Sequence, residues 1–369
     1  MIVSIRSAQF TRMPSSEQET VSELSFPSAL EALLEHRGFS EPQAQAVMEQ
    51  ILQGRLTDAQ IAALLVALRI KGETVEELVG FARAMRHHAR LTAGELPADG
   101  RPIVDTCGTG GDGRGTFNIS TAAAFVVAAA GLRVAKHGNR SISSHCGSAD
   151  VLEALGVHLE QATRCARETL ERTGVAFLYA PAVHPAMRHA MRARRELGVR
   201  TVFNLLGPLT NPAGATVQIV GVFAARYVAP MAQALLRLGV QRAFVVHGMD
   251  GTDEISVSAD TVFAEVREGR VRTGQFTPEQ FGVARWPVGA LAGGDARHNA
   301  ALLRRVLDGE RGALRDAVLV NAAAALVAAG AAPDLAAGAA LAARTIDSGA
   351  AASTLEAFLK LVSAPPAAS

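Results

Sequence analysis

The chain has 369 residues, 49% of them hydrophobic, which is ample for a buried core and for two structural units. A formal net charge of +1 leaves no basic excess for a polyanionic partner such as nucleic acid. Cys107, Cys146 and Cys165 are an odd number without C-x-x-C spacing, which argues against a disulfide framework or a zinc site and suits a reducing cytoplasm.

In chain order, residues 1–26 are polar and read as a disordered extension. Met1 to Phe10 is too short an apolar run for a signal peptide and carries Arg6 in its middle. Helical spacing of apolar residues then predicts four helices: Pro27 to Arg37, Glu41 to Gln53, Thr57 to Ile70 and Thr74 to His88. Thr57-Asp58 and Thr74 supply N-cap chemistry, and Thr74 with Glu77 makes a capping box. Ile61, Leu64, Leu65 and Leu68 share one face, as a helix-bundle core requires. Leu91 to Arg101, with Pro97 and two glycines, reads as a linker.

From Arg101 onward short β-rich runs alternate with helices: Ile103-Val104, Val134-Ala135, Ala176-Phe177-Leu178, Thr216 to Val222 and Ala243 to Val246. That alternation predicts an α/β fold, a mostly parallel sheet with helices on both faces. Asp150 with Glu153 reads as an N-cap and its box partner, and Gly156 as the stop of that short helix. Pro185 to Leu197 is helical and interrupts the strand alternation. The apolar stretches Ile119 to Ala135 and Val318 to Ala332 are broken by Gly131 and Arg133, and by Asn321 and Gly330; neither reaches the roughly 18 uninterrupted apolar residues of a membrane span. Ala-rich helices packed closely on a sheet are the expectation, with a frayed Ala/Pro/Ser tail after Val362.

The chemistry concentrates between Asp105 and Asp150. A strand runs into Gly108-Thr109-Gly110-Gly111-Asp112-Gly113, Asn118-Ile119-Ser120-Thr121 opens a helix, and a second strand delivers Lys136-His137-Gly138-Asn139-Arg140. Glycines let backbone N–H groups approach phosphate oxygens, and a helix N-terminus adds unpaired donors and a positive dipole end. From Gly113 to Ala149 there is no acidic residue, while Arg114, Arg133, Lys136 and Arg140 are positive, so an anion is expected here. The loop also fits G-x-G-x-x-G, but a dinucleotide site needs a carboxylate about 20 residues on. Gly131 to Lys136 offers none, and no Gly-Lys-Ser/Thr follows to make a P-loop. Only Lys71, Lys136 and Lys360 are lysines in a chain otherwise rich in arginine, which hints at a compact ammonium in the second loop. Asp253-Glu254 is a carboxylate pair that, alone, would be a surface turn. Following Val245-Val246-His247-Gly248 it falls at the carboxyl edge of the sheet, where ligands bind and where magnesium finds hard oxygens.

These motifs, with Thr116 to Thr121, Gly147 to Gly156, Phe203 to Pro212 and Gly251 to Ser256, resemble the anthranilate phosphoribosyltransferase family, in the family's order, from about Ser28 to near the C-terminus. The resemblance implies a small N-terminal helical domain (27–92, rejoined by about 184–200) and a larger α/β domain (101–183 and 201–369) with a mostly parallel central sheet, like the nucleoside phosphorylases. It implies transfer of a phosphoribosyl group from phosphoribosyl pyrophosphate to anthranilate in tryptophan biosynthesis, in a cleft between the units. Donor contacts fall on Gly108, Thr109, Gly110, Gly111, Asp112, Thr116, Asn118, Ser120, Thr121, Lys136 and Ser148. Acceptor contacts fall on Gly108, His137, Asn139, Met187 and Arg194, the only member of the cluster Arg188, Arg192, Arg194, Arg195 and Arg200 assigned to the carboxylate. Ser120, Asp253 and Glu254 bear on magnesium, two ions per site, and Lys136, Asp253 and Glu254 support the transition state. A cytoplasmic homodimer is implied, without membrane or nucleic-acid partners. His184 and His189, five apart, miss the i,i+4 spacing of a helical zinc pair. One departure is His145-Cys146, where many relatives carry a lysine.

Two other readings share the fold. A pyrimidine nucleoside phosphorylase would have a different glycine loop and lack the benzoate-binding arginine and the Asp-Glu pair. A nucleic-acid-binding relative would show a basic excess and an eroded donor site, and the chain shows neither.

Overall fold

The structure is a computed structural model that describes residues 24–90, 96, 99–141 and 146–363. Nearly all of the N-terminal extension, most of the linker, His145 and the tail after Ser363 lie outside the described residues.

Four helices open the fold: α1 (Phe26–Leu34), α2 (Glu41–Leu52), α3 (Asp58–Lys71) and α4 (Val75–His87). Ser40, Thr57 and Thr74 start the last three through capping boxes with Gln43, Gln60 and Glu77, so each helix begins where its orphan N–H groups find side-chain oxygens. Glu77 is fully buried, yet its carboxylate accepts from Phe39 N at 3.0 Å, Thr74 N at 2.8 Å and Lys71 Nζ at 2.9 Å. A charge satisfied in this way ties three elements together. Ile61, Leu64, Leu65 and Leu68 are all buried, as their helical spacing requires.

The remaining helices are α5 (Ile119–Ala129), α6 (Ser148–Ala154), α7 (Leu159–Arg164), α8 (Ala166–Thr173), α9 (Ala180–Val183), α10 (Arg188–Leu197), α11 (Val202–Leu206), α12 (Val228–Arg237), α13 (Ala296–Leu307), α14 (Ala313–Ala328), α15 (Leu335–Asp347) and α16 (Ala350–Val362). The strands are β1 (Ile103–Gly108), β2 (Arg133–Gly138), β3 (Val175–Tyr179), β4 (Val217–Gly221), β5 (Arg242–Gly248), β6 (Thr261–Arg267) and β7 (Arg270–Phe276). They form one sheet in the order β3-β2-β1-β4-β5-β6-β7, parallel through β5 and antiparallel beyond. α5, α14 and α16 pack together over one face, and α12 covers the other beside α4. α10 returns to pack on α2 and α3, so the first helices and the middle of the chain share one core.

Connections leave β1 toward β2 and β3, then return to β4 on the other side of β1. The crevice at the carboxyl ends of β1 and β4 is therefore the topological switch point, where open α/β sheets bind ligands.

Two local expectations differ from what is observed. Asp150 is not an N-cap: Gly147 is, and Asp150 sits at the third helical position, its Oδ2 accepting from Gly147 N at 2.8 Å and Ser141 N at 2.9 Å. The chain folds so tightly there that a Cβ on Gly147 would meet the backbone of Asn139 to Ser141, so the carboxylate serves as a clasp for both feet of the loop. The β6–β7 hairpin is additional to the expected strands. Its two-residue turn, Glu268-Gly269, takes φ of 53° and 71°, the left-handed pair that a tight hairpin needs, with Glu in a place usually held by Asn or Gly.

Candidate active site

β1 ends at Gly108 and β4 at Gly221, and both glycines are needed for the same reason. A Cβ on Gly221 would run into the backbone of Asp253, and one on Gly108 into its carboxylate. Two neighbouring strands thus end in hydrogen so that a third segment, Asp250 to Ser256, can close down on them. From behind, Asn321 on α14 grips that segment: its Oδ1 accepts from Ile255 N at 3.0 Å and its Nδ2 donates to Ile255 O at 3.0 Å. The asparagine that interrupts an apolar helix is a backbone partner for the residue after the carboxylate pair.

Asp253 Oδ2 accepts from Gly110 N at 2.7 Å, and Glu254 Oε1 from Ser120 N at 3.2 Å. The pair therefore bridges the glycine loop and the N-terminus of α5. Burial pushes the Asp253 carboxyl up to about 7, helped by the charge of Asp112, and pushes Glu254 up to about 8, helped by Asp253 and opposed by Lys136. Desolvated carboxylates held this close favour a proton or a cation between them. Lys136, only 4% exposed, donates from Nζ to Thr106 O and to Ser120 Oγ at 3.2 Å. Thr121 Oγ1 is buried without a hydrogen-bond partner among the described residues, beside Ser120 at the same helix end. Backbone donors, an ammonium and an unpaired hydroxyl converge here.

Among the described residues, no three or more His, Cys, Asp or Glu side chains gather into a metal cage. Magnesium does not require one. It keeps several waters and is bound by one or two carboxylates together with substrate phosphates. The raised affinity of Asp253 and Glu254 for positive charge fits that ion.

Across the cleft stands Arg194, on α10. Burial lowers its guanidinium to about 10, no carboxylate among the described residues pairs with it, and it lies over the Phe203 ring at 5.0 Å. A guanidinium desolvated without an anion is a ready partner for a ligand's carboxylate. The rest of the arginine cluster is occupied elsewhere. Arg188, Arg192 and Arg195 are exposed, Arg192 pairing with Glu196 at 2.8 Å, and Arg200 covers Phe223 at 4.7 Å.

His137 lies between the two halves. Its Nδ1 faces the carbonyl of Gly207 at 3.2 Å and so carries the proton. Nε2 is then a lone pair, buried and without a partner among the described residues. Burial and the neighbouring His184 ring, 5.1 Å away, hold His137 neutral, at about 3. It accepts a hydrogen bond at neutral pH and does not supply a cation.

Gly108, Thr109, Gly110, Gly111, Asp112, Thr116, Asn118, Ser120, Thr121, Lys136, His137, Asn139, Ser148, Arg194, Asp253 and Glu254 all line this one cleft. Met187 does not; it is half-buried against the core of the helical end. The cleft is also lined by Phe203, Asn204, Gly207 and Pro208, which the sequence offered as a motif without individual roles, and by Asn299 on α13. Asn299 Nδ2 donates to Asn118 Oδ1 at 3.0 Å, and Asn118 Nδ2 to Cys146 O at 3.2 Å, so the end of the basic loop is tied to α5 and α13. Nothing near Asn299 in the sequence resembles a site; only its place inside a polar network, 1% exposed, reveals it.

Comparison with known proteins agrees with this geometry. Residues 27–89 match the helical bundle domain of a glycosyl transferase family and residues 100–352 its α/β domain. An anthranilate phosphoribosyltransferase of Pelotomaculum thermopropionicum is 54% identical over 322 residues, which are 87% of this chain and 92% of that protein. The crystal structure of the Thermus thermophilus enzyme superposes with a TM-score of 0.84 at 47% identity, covering 91% of this chain and 99% of the other. The Saccharomyces cerevisiae enzyme in complex with phosphoribosyl pyrophosphate and magnesium gives 0.84 at 29% identity, over 93% and 99% of the two chains. With a cleft that brings a glycine loop and a carboxylate pair together with an arginine that no carboxylate among the described residues pairs with, and with relatives this similar over about nine-tenths of its length, the chain belongs to the anthranilate phosphoribosyltransferase family.

Proposed function

We propose that the cleft transfers the 5-phosphoribosyl group of phosphoribosyl pyrophosphate to the amine of anthranilate, giving N-(5-phosphoribosyl)anthranilate and pyrophosphate, a step of tryptophan biosynthesis. The observation that carries this reading is the placing of Arg194, a half-buried cation without an acidic partner among the described residues, in one cleft with Lys136, Asp253 and Glu254. In the reaction the bond from the anomeric carbon to pyrophosphate breaks, its electron pair leaving with the pyrophosphate oxygen. The amine lone pair forms the new bond, and the amine loses a proton. Positive charge grows at the ribose and negative charge on the departing group, so donors fixed in advance lower the barrier.

The glycine loop, Asp112, Thr116, Asn118, Ser120, Thr121, Lys136 and Ser148 hold the donor. Arg194 takes the acceptor's carboxylate through a planar fork, and Asn139 and the Nε2 lone pair of His137 orient its amine. Ser120, Asp253 and Glu254 hold magnesium, which neutralises charge on the leaving pyrophosphate. We assign two ions, a helical unit of 27–92 rejoined by about 184–200, and an α/β unit of 101–183 and 201–369. Two copies pair through the helical unit, where α1 and α3 leave Leu34, Val66 and Ile70 exposed. The free cysteines fit a cytoplasmic enzyme, and among the described residues no helix is long and apolar enough to cross a membrane.

Anthranilate fluorescence tests the reading. It is expected to decay only when phosphoribosyl pyrophosphate and a divalent cation are both present, with release of pyrophosphate. Steady fluorescence with all three components and folded protein would rule the reading out.

A further inference from the structure

Gly207 and Pro208 line the cleft with His137 and Arg194, and they belong to the segment Leu206 to Thr210, whose other members are buried behind them. Five consecutive carbonyls of this segment are each taken by a side chain. Leu206 O accepts from Thr210 Oγ1 at 2.9 Å, Gly207 O from His137 Nδ1 at 3.2 Å, Pro208 O from Gln218 Nε2 at 2.9 Å, Leu209 O from Arg86 Nε at 2.8 Å, and Thr210 O from His184 Nε2 at 3.0 Å. The donors come from α4, β2, β4, the end of α9 and the segment itself. Leu206 closes α11 and residues 207–209 form a 3-10 turn, so carbonyls here lack helical partners, and side chains from four other elements supply the donors.

Two of the donors are costly to place. Arg86 is held at about 10 by burial, and the partners it does find are carbonyls, Leu209 O and, through Nη1 at 3.1 Å, Leu238 O. Gln218, 1% exposed, shares its amide between Pro208 O and the buried carboxylate of Asp105 at 3.5 Å. Asp105 in turn accepts from Asn211 Nδ2 at 2.8 Å, closing the far end of the segment onto the sheet.

We propose that Arg86, His184 and Gln218 are positioning residues for the acceptor: by drawing the carbonyl oxygens of residues 208–210 onto donors behind the wall, they keep lone pairs from facing the anion that Arg194 receives. Gly207 and Pro208, the members of the segment on the lining, then turn no unpaired carbonyl toward a carboxylate. A free carbonyl there repels the acceptor, and the low dielectric of the cleft magnifies that repulsion. The proposal rests on the reading that an aromatic amine bearing a carboxylate is the acceptor.

The test compares Gln218→Met, which keeps volume but loses the donor, with Arg86→Lys, which keeps charge but offers one nitrogen where two carbonyls wait. Thermal melts establish that each variant is folded. Michaelis constants are then measured for phosphoribosyl pyrophosphate, for anthranilate and for its uncharged analogue 2-aminobenzamide. The expected result is a rise of about 3- to 10-fold for anthranilate in each variant, with the donor and the uncharged acceptor changed less than about twofold. Equal rises for both acceptors, or for donor and acceptor alike, would reduce the three residues to general support of the fold. An unchanged anthranilate constant in a folded variant would also overturn the proposal. Should Gln218→Met fail to fold, Arg86→Lys decides between the same outcomes. Absence of anthranilate turnover in the unaltered protein would overturn the functional reading itself, a result distinct from any of these.

Discussion

Lys136 is buried and Arg194 half-buried, and the structure surrounds the two cations differently. Lys136 spends its protons on Thr106 O and Ser120 Oγ, whereas Arg194 has the Phe203 ring and the Met191 sulfur beside it and lines the cleft. Arg194→Ala should therefore raise the Michaelis constant for anthranilate by roughly 10- to 150-fold, the value of a charge-assisted hydrogen bond of about 1.5–3 kcal/mol. The constant for phosphoribosyl pyrophosphate should move little, and Lys136→Ala should show the opposite pattern in steady-state kinetics. Equal losses for both substrates in the Arg194 variant would make it a support for α10. The carboxylate pair gives a second expectation. Asp253 and Glu254 have folded pKa values above the ordinary carboxylate range, so the folded state holds more protons than the unfolded one between about pH 4 and pH 8. Metal-free protein should lose stability as pH rises through that window. Asp253→Asn with Glu254→Gln should flatten the slope and abolish turnover, and magnesium with the donor should recover part of the lost stability in thermal melts of the unaltered protein only. These side chains were legible because glycine loop, basic loop and carboxylate pair are each contiguous in sequence. Asn299 was not, since its partners Asn118 and Gly294 lie on different elements.

At the level of elements, the close approach of Asp250–Ser256 to the ends of β1 and β4 has no slack. Gly221→Ala should displace the segment and with it both carboxylates. A shift of about an ångström in a catalytic group costs on the order of 100-fold in rate. Far-UV circular dichroism should remain near that of the unaltered chain while turnover falls; near-normal turnover would show that the backbone can yield. The helices of the N-terminal end and the parallel strands were legible from period and capping, because Thr57, Thr74 and the β-branched runs act locally. The β6–β7 hairpin escaped because its turn residue Glu268 carries no turn signature and its strands bury few residues without strict alternation, β7 only Phe276. Asp150 misled for a related reason. An acidic residue near a helix start is compatible with the N-cap and with the third position, and only the tight fold at Gly147 decides between them.

For the whole molecule, one hydrophobic cluster runs from the first helices through α10 and α11 onto the sheet, so Arg194 is mounted on the helical end and the glycine and Lys136 loops on the sheet. Pairing of two copies through α1 and α3 would bury Leu34 and Ile70, which are 62% and 72% exposed in the single chain. Ile70→Asp should then shift sedimentation toward the monomer without loss of helix content. An unaltered dimer would place the interface elsewhere, and a monomer in the unaltered protein would remove it. The sequence carried the division into helical and α/β parts through its change of period. How the parts meet depends on contacts such as Arg86 with Leu209, separated by more than a hundred residues and without local signature.

The grip of Asn321 on Ile255 has a consequence on the scale of minutes to hours. Loops at the mouth of a cleft ordinarily open often, and their amide hydrogens exchange with solvent soon after dilution into heavy water. The Ile255 amide sits in such a loop but is bonded to a side chain in the middle of a buried helix, so its proton leaves only when α14 departs from the sheet. Its exchange should be as slow as that of β5. Asn321→Leu should speed it to loop rates, so that Asp253 and Glu254 would ride on a segment that breathes.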